Sequence, residues 1–156
     1  MMAEPLDTIR NGAGTAWWQD ETGVPIRRLT HAEQLRSLVE LLDSAIAEQP
    51  RADEIVAACG EDAPVPLAYT RDGARLQIAF YRLRLRLDGL DLDAELEDVR
   101  ERAGTLLLYH QRCLQEALAV AFSPHLTPAG RLRCRINGLG APATRLRELR
   151  DRLRSR

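Results

Sequence analysis

The chain has 156 residues, 45% of them hydrophobic and 29% charged, with a net charge of −1. That length fits one ordinary domain, and that balance supports a buried core under a solvated surface, which excludes a chain disordered throughout. A charge so near zero gives no ground by itself for a nucleic acid, a membrane surface or an acidic substrate as partner.

All 22 basic residues are arginine, and asparagine occurs only at Asn11 and Asn137. The bias runs along the whole chain, as the codon usage of a GC-rich genome would produce. Selection for bidentate guanidinium contacts is the alternative. The three cysteines, Cys59, Cys113 and Cys134, are far apart and odd in number, which fits reduced thiols in a cytoplasmic protein. The start, Met1 to Pro5, carries an acid and a proline where a secretory leader needs a basic and then an apolar run. No apolar run is long enough to span a bilayer.

Residues 1–29 read as an irregular arm, with Gly12, Gly14, Gly23, Pro5 and Pro25 interrupting any regular element. It carries Trp17-Trp18 and Val24-Pro25-Ile26, which suit a small hairpin or a strap across the helices. Residues 30–156 then read as a helical domain. Thr30 and Glu33 fit a capping box. Leu35, Leu38, Val39, Leu42, Ala45 and Ile46 follow at helical spacing, and Pro50 is expected to end that helix. A short second helix is expected from Ala52 to Cys59, stopped by Gly60, with a loop at Pro64 and Pro66.

Residues 72–88 carry two patterns. Leu83, Leu85 and Leu87 alternate with arginines as in a half-wet strand, while Leu76, Phe80, Leu83, Leu87 and Leu90 fit helical spacing. Asp72-Gly73 suits either a hairpin turn or a helix start. The helical neighbours favour a helix, with Gly89 just past its end. A long helix is expected over about 91–122, with a seam of Leu92, Leu96, Val99, Ala103, Leu106, His110, Cys113, Ala117 and Val120 in heptad steps. Leu107, Leu114, Leu118 and Ala121 widen it. Gly104 within it either permits close helix approach or marks a bend, at about 1 kcal/mol against alanine. Thr127-Pro128 opens a short segment reaching Ile136. Ala141-Pro142 opens a basic terminal helix with Leu146, Leu149 and Leu153 as its apolar face. The fold expected is therefore all-α: a bundle of about four to six helices around one long central helix, with an irregular arm.

Arg82 to Leu90 and Arg131 to Leu139 echo each other, a similarity that Arg/Leu-rich composition produces by chance. Charge is polarised along the chain. Residues 88–101 hold seven acids and one arginine, a net of −6, and residues 127–156 hold nine arginines and two acids, a net of +7. The acids suit a helix N-terminus. They also suit the basic tail as a partner, within the fold or across a dimer. Leu139 to Leu146 resembles the turn and second helix of a helix-turn-helix, with Arg145 and Thr144 placed toward bases or phosphates, although Asn137-Gly138 would break the preceding helix early.

His110 and Cys113 lie three apart on the inward face of the long helix. Zinc needs three or four ligands, so a core histidine beside a buried thiol is the simpler reading. No catalytic pair, phosphate loop, metal set or cofactor motif stands out. The sequence therefore leads to a cytoplasmic, non-enzymatic helical protein acting through protein contacts, with a partner or as a homodimer, and without a membrane role. The interaction residues expected are Trp17, Trp18, Arg131, Arg133, Arg135, Arg145, Arg147, Arg150 and Arg152. The alternative is a DNA- or RNA-binding regulator using residues 127–156. A small-molecule pocket near Tyr109, His110 and Cys113 is the third reading.

Overall fold

The computed structural model describes residues 27–123, 125, 127 and 137–156. Among these the chain forms α1 (His31–Cys59), α2 (Leu67–Asp88), a short 3-10 turn (Ala94–Leu96), α3 (Glu97–Ala121) and α4 (Ala141–Arg154), with no strand. It is an all-α bundle. The arm up to Ile26 and the segment from Pro128 to Ile136 lie outside the described residues, and with them the expected hairpin and the short helix after Thr127.

α1 starts where the capping box puts it. The Glu33 amide donates to Thr30 Oγ1 at 3.3 Å, and the Thr30 amide donates to Glu33 Oε2 at 2.7 Å. The helix does not stop at Pro50, contrary to the reading above; it runs on through the segment expected as a second helix. Pro50 is on the exposed face, and the helix forgoes there only the bond that its missing amide would make to the Ile46 carbonyl. Beyond it, Ala52, Ile55, Val56 and Cys59 are fully buried, which holds the last turns in place.

The ambiguous segment is helix α2. Gly73 is neither a turn nor a helix start but a close contact, since a Cβ there would lie 2.5 Å from Leu118 Cδ1 of α3. Gly104 has no such role: its nearest neighbour would be Leu87 Cδ2 at 3.8 Å, an ordinary contact. α3 begins at Glu97 rather than Asp91. The chain before it is extended at Asp93, whose amide donates to Gln34 Oε1 at 2.7 Å. Gln34 is itself buried and donates to the Leu29 carbonyl at 3.0 Å. One glutamine thus fixes the entry to α3 against the start of α1.

Two helices share the centre, not one. α1 and α3 pack on each other and on both remaining helices, while α2 and α4 make little contact with one another. The buried stripe of the α3 segment is Leu92, Leu96, Val99, Ala103, Leu107, His110, Leu114, Ala117 and Ala121. Leu106, Cys113 and Val120, expected on the seam, are only partly buried. The stripe averages about 3.6 residues per turn, the period of a straight helix, where a heptad seam needs 3.5 and a supercoil. A helix packed between three neighbours has no single partner to coil around. In α4, Ala143, Leu146, Leu149 and Leu153 face inward.

Candidate functional site

His110 is where the sequence put it, in the core, and it is fully buried. Its Nδ1–H donates to the Leu106 carbonyl at 2.6 Å, which leaves Nε2 to accept from Gln49 Nε2 at 3.1 Å. Gln49 also donates to the Ala143 carbonyl at 3.2 Å and accepts from Arg147 Nη1 at 3.2 Å. One buried glutamine on α1 therefore ties α3 to α4 through a neutral imidazole, and Phe80 of α2 packs its ring 5.2 Å from the imidazole. Burial lowers the His110 pKa, against the Leu106 hydrogen bond and with the help of the Arg147 charge. Protonation would set an Nε2–H against the Gln49 amide hydrogens and break the link to α4.

Both ring nitrogens being engaged, His110 has no free atom for a metal or a substrate. Cys113 is half-buried, and its thiol is pushed up by burial and by Glu116 and Asp53, away from thiolate chemistry. Tyr109 points outward and is exposed. The three residues of the expected pocket thus face different environments. Among the described residues there is no group of three or more side chains able to hold a metal ion.

The tail arginines divide into two sets. Arg150 is held tightly, with only 17% of its side chain exposed, by Asp43 of α1 at 2.5 Å and by Asp151 at 2.6 Å. Arg154 reaches the other oxygen of Asp43 at 2.7 Å. Burial raises the Asp43 pKa, but the two arginine hydrogen bonds outweigh it and the carboxyl lies below its usual range. Arg147 serves Gln49 and Thr144. These three side chains fasten α4 to α1. Arg145 and Arg152 are exposed and without an ion pair among the described residues. With Leu106 and Leu149 they line a groove of about 500 Å³ between α3 and α4, opposite Asp98 and Glu101. Trp17, Trp18, Arg131, Arg133 and Arg135 lie outside the described residues.

Four acids of the stretch, Asp91, Asp93, Glu97 and Asp98, pair with residues outside the tail. Arg28 pairs with Asp91 and Asp93, at 3.4 and 3.2 Å, and His31 Nδ1 lies 3.1 Å from Asp93 Oδ2. Asp98 pairs with Arg102 at 2.9 Å and Glu97 with Arg100 at 2.5 Å. The turn before α4 is fixed by Asp53, which accepts the Leu139 amide at 2.7 Å. Gly138 there has φ +114, and a Cβ on it would fall 2.5 Å from Asp53 Oδ1. Both facts require glycine.

The feature that sequence reading missed is on α2. Its inner face is Leu76, Phe80, Leu83 and Leu87. Its outer face carries a second apolar row, Ala74, Ile78 (51% exposed), Tyr81 (41%) and Leu85 (50%) at helical steps of four, three and four, with Leu67 (81%) two turns before it. The signal was present in the alternation of Leu83, Leu85 and Leu87, in which the outer row interleaves with the inner one. Nothing among the described residues covers this row.

No family model matches the chain, and neither the curated proteins nor the solved structures searched give a match. Among the described residues no helix is long and apolar enough to cross a membrane.

Proposed function

We propose that this chain is a helical protein that acts through protein contacts rather than catalysis, and that the outer face of α2 is the contact surface. The observation that carries this is the exposed row of Leu67, Ile78, Tyr81 and Leu85. Single exposed apolar residues are ordinary on any surface, but a row at one-face spacing on a helix is an interface pattern. Most of the heptad seam expected in α3 is buried inside the fold, so among the described residues the outer face of α2 offers a homodimer more apolar surface than the seam does.

The test is photo-crosslinking in cells producing the full chain, with the reactive group at position 78 and, as control, at Gln115 on the exposed face of α3. A discrete adduct from position 78 that disappears with L85D is expected, and none from position 115. An adduct of twice the chain mass would identify the partner as a second copy. No adduct from position 78, or the same adducts from both positions, overturns the reading.

Nucleic-acid binding by residues 127–156 has less support. Arg147, Arg150 and Arg154 hold α4 to α1, which leaves Arg145 and Arg152 as the exposed arginines of α4 without an ion pair among the described residues. A gel shift on random duplex at low salt, with and without R145E/R152E, tests that reading, since phosphate contacts make affinity fall steeply with salt. No shift at low salt, or one indifferent to the substitutions, removes it.

A further inference from the structure

Building on the reading of α2 as a contact face, we infer that its partner is an amphipathic helix of another protein with carboxylates along one flank of its apolar stripe. Shape comes first. The outer row from Leu67 to Leu85 follows steps of seven, four, three and four residues, the pattern of a single seam one helix wide and about 27 Å long. The inner face of α2 is already used, with Leu76, Phe80, Leu83 and Leu87 in the core and Gly73 close against Leu118. A rigid helix with an apolar seam on its free side is completed by a helix laid along it.

Charge then selects the partner. At 100° per residue, Arg71, Arg75, Arg82 and Arg86 fall along one edge of the row. Arg75 pairs with Glu48 of α1, at 3.2 Å. Arg71, Arg82 and Arg86 make no ion pair among the described residues, the Arg71 charge acting only at longer range on Asp72. The opposite edge is Thr70, Gln77, Arg84 and Asp88, with no net charge. Arg84 stacks on the Tyr81 ring, its guanidinium carbon 5.7 Å from the ring centre. One edge is therefore cationic and unsatisfied, and the other is neutral. A docking helix gains by setting glutamates or aspartates against the first edge, as flanking charges do in paired helices. A second copy fits poorly. An antiparallel two-fold pairing of α2 with itself would set the arginine edge against the arginine edge, and a parallel one would set it against the neutral edge.

The inference is tested with two synthetic amphipathic helices of identical leucine seam, one carrying glutamates on a flank and the other lysines. Each is titrated into the full chain by fluorescence anisotropy, beside vesicles containing anionic lipid. The glutamate helix is expected to bind, more weakly as salt rises, and at least tenfold more weakly to I78D/L85D. The charge swap R82E/R86E should reverse the preference in favour of the lysine helix. Variants whose circular dichroism and melting match the parent are the ones compared. Equal binding of both helices overturns the acidic flank while leaving α2 as a contact face. Binding to vesicles alone, or self-association abolished by I78D/L85D with neither helix bound, overturns the inference in favour of a lipid surface or a second copy. Failure of both helices together with no crosslink from position 78 removes the underlying reading as well.

Discussion

α2 and α3 are packed against each other over most of their length, and both carry more apolar residues than one face can hold, yet they dispose of the surplus differently. α3 has neighbours on three sides, α1, α2 and α4, so most of its surplus, Leu106, Cys113 and Leu118, is at least half covered. Among the described residues α2 lies on the outside, packed mainly on α1 and α3, and its surplus is exposed. An apolar row on a helix is therefore not evidence of burial until the number of neighbours is known. In α3 the row is core; in α2 the same spacing is surface.

The sharpest contrast should come from leucine truncation. Leu107 is fully buried, and L107A should destabilise by about 2–5 kcal/mol in urea unfolding. Leu106, one residue away but partly exposed, should cost clearly less, and L85A on the outer row should stay within about 0.5 kcal/mol. Equal losses at Leu107 and Leu85 would mean that the outer row is covered. Next in size is the close approach between the two helices. G73A forces the Leu118 side chain to give way, at about 1–3 kcal/mol, against which alanine gains about 1 kcal/mol over glycine inside a helix; a small net loss is expected, which L118A in the same chain should relieve. Independent, additive costs would contradict that contact.

The buried histidine gives a pH signature of its own. The His110 pKa is lowered in the folded state, so between the unfolded value of about 6.5 and the folded value below it the unfolded chain binds more protons. Stability is then fully present above the unfolded pKa and falls with pH through that window until the folded pKa is reached. H110Q should flatten this part of the profile. The loss from Asp43, whose pKa is lowered by Arg150 and Arg154, comes only below the ordinary aspartate range of about 3.9, so the two are separable by titration. The smallest expected effect is a gain: G104A should stabilise by up to about 1 kcal/mol, because its added methyl meets only ordinary contacts.

Much of the fold was legible because local rules and burial agreed. The Thr30–Glu33 box, the leucine face of α4 and the buried His110 each follow from spacing and chemistry at one place in the chain. Errors arose where a distant residue decided the matter. Pro50 reads as a stop unless the core contacts of Ala52 to Cys59 are known. The start of α3 depends on Gln34, about sixty residues earlier, and the heptad phase failed after Ala103 because three neighbours, not one, surround α3. Gln49 and Asp43 carry the attachment of α4, yet a lone glutamine or aspartate on a helix gives no sign of such a role in sequence. The outer row of α2 was visible only as confusion between strand and helix, the trace that two interleaved apolar faces leave on a single helix.

Thiol labelling of single cysteines on a background lacking Cys59, Cys113 and Cys134 tests most directly whether the α3 row is spent within the fold and the α2 row is free. I78C and L85C in the purified native chain should react at nearly the rate of the unfolded protein, and L107C and L114C only as fast as the chain unfolds. Protection of I78C and L85C at micromolar concentration would show that the outer face is already covered, by the chain itself or by a second copy, and would contradict its assignment as a surface held open for another protein.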